Sequence, residues 1–399
     1  MGSNKRKICL AVQRYGLEVN GGAELLARQI AEKLTVYYDV TVLTSKAVDY
    51  NTWQDEYHRN TEDINGVHVI RFSVEHPRIS EKFNAINDKF LLGKLTREEE
   101  QDWVNEQGPY VPRLIEYLHE NKNTYEVFIF FTYLYYQTTM GVPEVKDKAI
   151  VFPFAHPEPF MNMAVFDNVF LLPKGLIFET EEERKLVRNI YYNYKIPYFI
   201  GGAGVDLPSD VSAERFKIKY HIDNYIIYVG RIDMGKNCDE LFDYFLKYKQ
   251  QHPSNLKLVL LGKEMIKVPK NPDIVSLGFV SDQDKFDGIS GSRFLVLPSK
   301  LESLSIVVLE AFSLGRAVLV NGKCSVLKEH CDESKAGLYY ENECEFSKDM
   351  EILLEDEKRC NLMGIAGKEY VNRKYNWDII LNKISDMIEY VRCIGNNHD

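Results

Sequence analysis

Short apolar runs alternate along the chain with longer stretches in which apolar residues recur at helical spacing. In the first half the runs fall at residues 8–12, 40–43, 67–72, 127–131, 150–154 and 175–178. In the second half they fall at 225–229, 256–261, 274–277, 294–297 and 317–320. A uniformly apolar run between polar loops reads as a strand buried on both faces, and strands alternating with helices read as a parallel sheet covered by helices. The pattern predicts an α/β protein of two doubly wound, Rossmann-like halves, the first over residues 1–199 and the second over 200–376. The segment 200–208 (IGGAGVDLP), rich in glycine and closed by proline, suits the link between them. Between residues 79 and 120 the alternation gives way to a stretch rich in Lys, Glu, Trp and Tyr and broken by Gly108-Pro109, which reads as an insertion over the ligand cleft. A last helix over residues 377–392 gathers Ile379, Ile380, Ile384, Met387, Ile388 and Val391 largely on one face and needs a surface to pack on.

Composition narrows the function classes. A chain of 399 residues exceeds the size at which one core stops growing, in keeping with two domains. The formal net charge of −10 lacks the basic surface that a nucleic-acid backbone requires, so nucleic acid is not expected as a partner. Lys5, Arg6 and Lys7 form a local basic cluster that could touch an anionic membrane surface. The 7 cysteines are odd in number and form no C-x-x-C pair, which fits a reducing compartment. No apolar run approaches the ~18 residues of a membrane-spanning helix and no leader precedes the first strand, so the reading is cytoplasmic, with peripheral contact at the inner face of the membrane left open.

Open parallel sheets bind ligands beyond the carboxyl ends of their strands, and the chemically suggestive residues fall there. In PSKLESLSIVVLEAFSLG, residues 298–315, Glu302 and Glu310 stand at a strand–loop–helix junction. Ser303, Leu304 and Ser305 are expected to open the helix just ahead of Ile306 and Val307, with their own backbone N–H groups forming an anion site. Taken alone, Glu302 also reads as a loop carboxylate and Glu310 as a solvated helix position. In YVGRIDMGKN, residues 228–237, a strand runs into Gly230 and presents Arg231 and Lys236, two cations able to balance a diphosphate, or equally two solvated loop cations with Arg231 paired to Asp233. Gly21 and Gly22 precede a helix and would let backbone approach a phosphate, although they do not form G-x-G-x-x-G. His156, among prolines in FPFAHPEPF, could donate to a sugar hydroxyl or cap a carbonyl. Asp282-Gln283-Asp284 resembles a metal-diphosphate motif but stands where acidic residues favour the first turn of a helix, and Cys324, His330 and Cys331 lack zinc spacing, so no metal is expected. The aromatic run Phe130, Phe131, Tyr133, Tyr135 and Tyr136 reads as core packing or as part of an acceptor site.

In their joint order, Gly21-Gly22-Ala23-Glu24, His156, Gly230-Arg231 with Lys236-Asn237, and the E-x7-E pair Glu302 and Glu310 resemble glycosyltransferase family 4 over essentially the whole chain. The resemblance implies the GT-B fold, two Rossmann-like domains facing across a cleft, with the last helix returning to the N-terminal, acceptor-side half. It implies a metal-independent retaining transferase, hexosyl or deoxyhexosyl, with no cofactor beyond a nucleotide-diphosphate sugar as co-substrate. The acceptor would be a glycan, glycolipid or glycoprotein, as in polysaccharide assembly. By the same resemblance Arg231 and Lys236 would hold the diphosphate with Gly230 and the N–H groups of residues 304–307, and Glu310 would hold the ribose. Glu302 would reach the transferred sugar, His156 would contact it, and Gly21-Gly22 would close on the diphosphate. Many members carry Phe-Gly where this chain has Leu304-Ser305, which bears on the donor's identity. A sugar-nucleotide epimerase or a phosphorylase on the same fold, or a non-catalytic partner subunit that binds a sugar nucleotide, are the alternatives; donor base, acceptor and oligomeric state stay open.

Overall fold

The computed structural model describes residues 5–19, 21–93 and 95–395. The chain divides into two compact units, residues 1–203 with 380–399, and residues 204–379. The first holds an 8-stranded sheet in the order β3-β4-β2-β1-β5-β6-β7-β8. Its strands are β1 (Lys7–Ala11), β2 (Asp39–Ser45), β3 (Thr61–Ile64), β4 (Val67–Phe72), β5 (Val127–Phe131), β6 (Ala149–Phe152), β7 (Gly175–Phe178) and β8 (Tyr198–Ile200). All pairings are parallel except β3 with β4. The second holds a 6-stranded, wholly parallel sheet in the order β11-β10-β9-β12-β13-β14. These strands are β9 (Tyr225–Val229), β10 (Lys257–Leu261), β11 (Ile274–Ser276), β12 (Leu295–Leu297), β13 (Val318–Asn321) and β14 (Gly337–Tyr340).

The fully apolar runs became the central strands for the expected reason. Strands β5, β6 and β7 are buried at every position, so helices must cover both faces. The strands that the apolar pattern did not mark lie at sheet edges. β3 (TEDI) is half-solvated, and β14 (GLYY) is partly exposed. Each sheet reverses its winding once, between β1 and β5 in the first and between β9 and β12 in the second, and there the loops leaving adjacent strands turn to opposite sides and leave room for a ligand.

The stretch from 79 to 120, read as one insertion, is three helices with different jobs. Ser80–Leu91 has no buried residue, whereas Arg97–Gln107 buries Trp103 and Val104. Pro112–Asn121 buries Leu114 and Leu118 as the ordinary crossover helix before β5. Phe130, Phe131, Tyr133 and Tyr136 are core residues, packed with Phe152, Phe166 and Tyr110. The last helix runs longer than its apolar stripe, over Trp377–Gly395, and among the described residues no helix is long and apolar enough to cross a membrane. Within the first unit it packs near β7, where a Cβ on Gly175 would meet Met387 Sδ at 2.5 Å, and Lys383 Nζ donates to the Ile200 carbonyl at 3.0 Å. Arg6 of the N-terminal basic cluster is tied to Glu389 of the same helix, and Lys5 donates to the Thr35 carbonyl at 2.6 Å.

This helix contributes to the first unit through its buried stripe. Ile384→Ala, at a position with no exposed surface, is expected to cost about 2–5 kcal/mol, and Ile379→Ala, at a partly exposed one, distinctly less. Chemical denaturation of the two variants would show the difference, and equal losses would mean that the stripe is not what anchors the helix.

Candidate functional site

In the second unit the two central strands of the winding reversal, β9 and β12, carry the two informative motifs at their carboxyl ends. After β9 the chain enters Gly230 at φ +150°, and after β10 it enters Gly262 at φ +146°. These glycines meet: a Cβ on Gly262 would lie 1.9 Å from the Gly230 carbonyl oxygen. The close approach fixes the start of the Arg231–Asn237 loop. Tyr228 donates its hydroxyl to the Arg231 carbonyl at 2.5 Å, and Asp233 accepts from the Lys236 backbone N–H at 2.7 Å. Arg231 is largely exposed and pairs with Asp233 at 3.5 Å.

Lys236 reaches the other motif. Its Nζ lies 2.7 Å from Glu302 Oε1, with the carboxylate mostly buried and the lysine about a quarter exposed. The next residue, Asn237, is left-handed at φ +59° and donates to the Pro298 carbonyl at 3.2 Å while accepting from Lys300 Nζ at 2.9 Å. Asn321, at the end of β13, donates to the same carbonyl at 3.1 Å and to Glu240 at 3.2 Å. The loop after β12 is therefore pinned from both neighbouring strands.

The helix following that loop starts later than the sequence suggests. Ser303, Leu304 and Ser305 precede it rather than open it, and its first residue is Ile306. The reason is Ser305, which caps the helix in the left-handed conformation at φ +64° and so turns the chain sharply into the first turn. Glycine is the residue that adopts this left-handed conformation at least cost. The Ser305 hydroxyl is buried without a hydrogen-bond partner among the described residues. Behind the loop, buried His330 holds the Leu304 carbonyl at 2.7 Å through Nε2, and its Nδ1 faces the Tyr370 hydroxyl at 3.1 Å. Burial pushes the His330 value down to about 4, so the ring is neutral and Nε2 carries the proton it donates.

Glu310, two turns into Ile306–Ser313, is only 7% exposed, which rules out the solvated reading. Its carboxyl is pushed up by burial and pulled back by Lys285, whose Nζ lies 2.7 Å from Oε1. Sequence reasoning missed Lys285, His330, Lys300 and Gly262. A lysine one turn into a helix looks solvated, and His330 was weighed only as a metal ligand. Asp282 and Asp284 stand in the first turn of Asp282–Gly291 behind the N-cap Ser281, and Asp284 pairs with Lys219 at 2.8 Å. Among the described residues no group of His, Cys, Asp and Glu is arranged to hold a metal ion.

The first unit holds the remaining residues at its own strand ends. Gly21 caps the helix Gly22–Leu34, and a Cβ there would lie 1.9 Å from Glu24 Oε2, so its small size is required by Glu24, whereas Gly22 faces open space. Glu24 is buried in a two-point pair with Arg14, at 2.6 and 2.9 Å. His156 is bound at Nε2 to Glu158 at 2.6 Å, and Glu158 also accepts the Tyr133 hydroxyl at 2.9 Å. The Glu158 carboxylate therefore raises the His156 value. Close by, Glu183 accepts from the Ala155 N–H at 2.7 Å and is pushed well up by its burial and by Glu179.

Residues 211–370 match the family described as glycosyl transferases group 1. The match covers the second half of the chain, which is similar to the group 1 glycosyltransferases there. Two curated relatives come from Campylobacter jejuni. One, an N-acetylgalactosamine-N,N'-diacetylbacillosaminyl-diphospho-undecaprenol 4-alpha-N-acetylgalactosaminyltransferase, is 28% identical over 34% of this chain and 39% of its own. The other, an N,N'-diacetylbacillosaminyl-diphospho-undecaprenol alpha-1,3-N-acetylgalactosaminyltransferase, is 24% identical over 59% of this chain and 65% of its own. The chain thus spans less than two thirds of either relative. Among solved structures, sucrose-phosphate synthase from Thermosynechococcus elongatus is similar with a TM-score of 0.68 at 15% identity, over 97% of this chain and 99% of that one. HepE of Anabaena, in complex with UDP and glucose, is similar with a TM-score of 0.68 at 13% identity, over 96% of this chain and 100% of that one. The fold is GT-B-like, with its two parallel α/β sheets.

His330 makes the loop sensitive to acid. Its folded value of about 4 lies below the unfolded 6.5, so the unfolded chain takes up the proton first. The stability this represents, roughly 3 kcal/mol, is present above pH 6.5 and is lost as pH falls through 4. His330→Gln should flatten the fall in Tm between about pH 7 and pH 4.5, and an unchanged slope in a folded variant would remove His330 as its source.

Proposed function

We propose that the protein is a retaining glycosyltransferase that moves a sugar from a nucleoside-diphosphate sugar to a hydroxyl of a glycan-bearing acceptor. The observation that carries this reading is the Lys236–Glu302 pair, at 2.7 Å, beside the N-terminus of the helix Ile306–Ser313 at the winding reversal of the sheet. A cation and the first turn of a helix, whose leading N–H groups have no partner within the helix, make a combination suited to a diphosphate. Glu302 is then placed to accept hydroxyl hydrogens of the transferred sugar, and Glu310 those of the ribose. Arg231, exposed on its loop, is free to swing from Asp233 to a phosphate oxygen.

In the reaction the bond from the anomeric carbon to the diphosphate oxygen breaks as the acceptor oxygen bonds to the same face of that carbon. The acceptor's proton passes to the departing phosphate oxygen, and a nucleoside diphosphate leaves. No side-chain base is needed on this route. Lys236 and the N–H groups of residues 304–307 stabilise the charge that grows on the diphosphate, where preorganised donors are most effective. The names of the curated relatives support a lipid-diphosphate-linked saccharide as acceptor, and HepE's complex supports a uridine nucleotide as donor.

The test is release of nucleoside diphosphate from a panel of UDP-, GDP-, ADP- and dTDP-sugars with lipid-linked saccharide acceptors, without added metal. One donor should be consumed with release of its diphosphate, and the activity should be lost in Glu310→Ala. Lys236→Ala should lower turnover on the order of 10²-fold, as expected for loss of one charge-stabilising donor. Wild-type turnover in folded Lys236→Ala, or no binding of any donor, would defeat the reading.

A further inference from the structure

Glu310 is a carboxylate in a place where a carboxylate is costly. It lies on a mostly apolar helix, buried beside Val308, Leu309, Ala311 and Phe312. A buried glutamate without a compensating charge takes up a proton and becomes a carboxylic acid. The acid keeps one donor and loses much of its accepting capacity, whereas the carboxylate offers roughly four acceptor positions, enough for two neighbouring hydroxyls beside one ion pair.

One ammonium supplies the compensation. Lys285 comes from the helix Asp282–Gly291, its Nζ 2.7 Å from Glu310 Oε1 and 4.2 Å from the centre of the Phe286 ring. Asp282 stands 3.5 Å from the same Nζ but is exposed, so it competes weakly for the lysine. The other elements against the Glu310 helix bring no second cation to it. Helix Glu357–Lys374 places Lys368 against Gly315, past the C-terminal end, and strands β12 and β13 carry no titratable side chain. Lys285 is thus the cation that faces Glu310 among the described residues.

We infer that Lys285 is a positioning residue for nucleotide recognition: by its ion pair it keeps Glu310 ionised and aimed, so that Glu310 can accept both hydroxyls of a ribose. The inference rests on the donor reading above and deepens it, because it makes the preference for a ribonucleotide over a 2′-deoxyribonucleotide depend on a residue that need not touch the nucleotide.

The experiment measures calorimetric affinities of the whole protein for UDP and 2′-dUDP, and for GDP and 2′-dGDP, between about pH 7 and pH 9. The ratio of ribo- to deoxyribonucleotide affinity cancels the titration of the diphosphate itself. In the wild type the ratio should favour the ribonucleotide and stay flat with pH. In Lys285→Met it should fall about tenfold at pH 7, the loss of one charge-assisted hydrogen bond, and recover as pH rises and Glu310 ionises. Lys285→Arg should restore the flat profile, and Glu310→Gln, permanently neutral, should give the low ratio at every pH. A Lys285→Met ratio equal to wild type, or one low at all pH while Lys285→Arg is low as well, would overturn the role of Lys285 and leave the donor reading standing. If Lys285→Met does not fold, Lys285→Arg and Glu310→Gln decide: a low, flat ratio in the former or a wild-type ratio in the latter overturns the inference. Absence of nucleotide binding by the wild type would instead bring down the donor reading on which it rests.

Discussion

The second unit depends on one adjacency, that of β9 and β12, which pair through Leu295 and Ile227 although far apart in sequence. Because both strands are central and parallel, the loops leaving them emerge side by side and turn to opposite sides of the sheet. Lys236 on one loop and Glu302 on the other come within 2.7 Å only for that reason. The clasp of Asn237 and Asn321 on the Pro298 carbonyl then fixes the distance between the loops. A change of strand order would scatter every group that the two motifs bring together.

The charges around this point are paired with one another. Arg231 answers Asp233, Lys236 answers Glu302 and Lys285 answers Glu310. Their burial differs, and so does what a ligand can do with them. The Arg231 pair is long and exposed and is worth little, so on the proposed reading it would give way to a phosphate. The Lys285 pair is buried on its carboxylate side, and breaking it would leave an uncompensated charge, so it is a fixed part of the frame. Lys236 lies between these limits, partly exposed and bonded to a mostly buried carboxylate. Graded burial thus separates a weakly held cation from one that is fixed in the frame.

The sheet cores and the two motif loops were legible because they depend on local signals: uniformly apolar runs, and glycine or charge at their ends. What was not legible depends on tertiary proximity. Lys285 and Glu310 are separated along the chain and meet only because their helices lie side by side, and nothing in KFD distinguishes that lysine from a solvated one. His330 carries no local sign that it buttresses Leu304, since the partner is a backbone carbonyl. β3 and β14 escaped for the opposite reason: edge strands are partly solvated, so their apolar pattern is weak. The start of the Ile306 helix was displaced because a left-handed serine is a rare way to cap a helix, and the expected pattern of Ser, Leu and Ser reads as an ordinary N-terminus.

That serine concentrates two local costs in one residue. A left-handed backbone at a residue with a Cβ costs about 1–2 kcal/mol, and a buried hydroxyl with no partner costs about 1–3 kcal/mol more. Glycine would avoid both. Asn237, left-handed in the neighbouring loop, shows the contrast, for its side chain is bonded at both ends, to Pro298 and to Lys300. Ser305 has no such compensation among the described residues, yet it stands where the backbone turns to present the N–H groups of the helix. The position is thus under a steric and polar constraint that glycine would relieve. On the proposed donor reading the serine stands at the turn into the diphosphate site, where a hydrogen bond from a bound ligand to its hydroxyl would offset part of these costs.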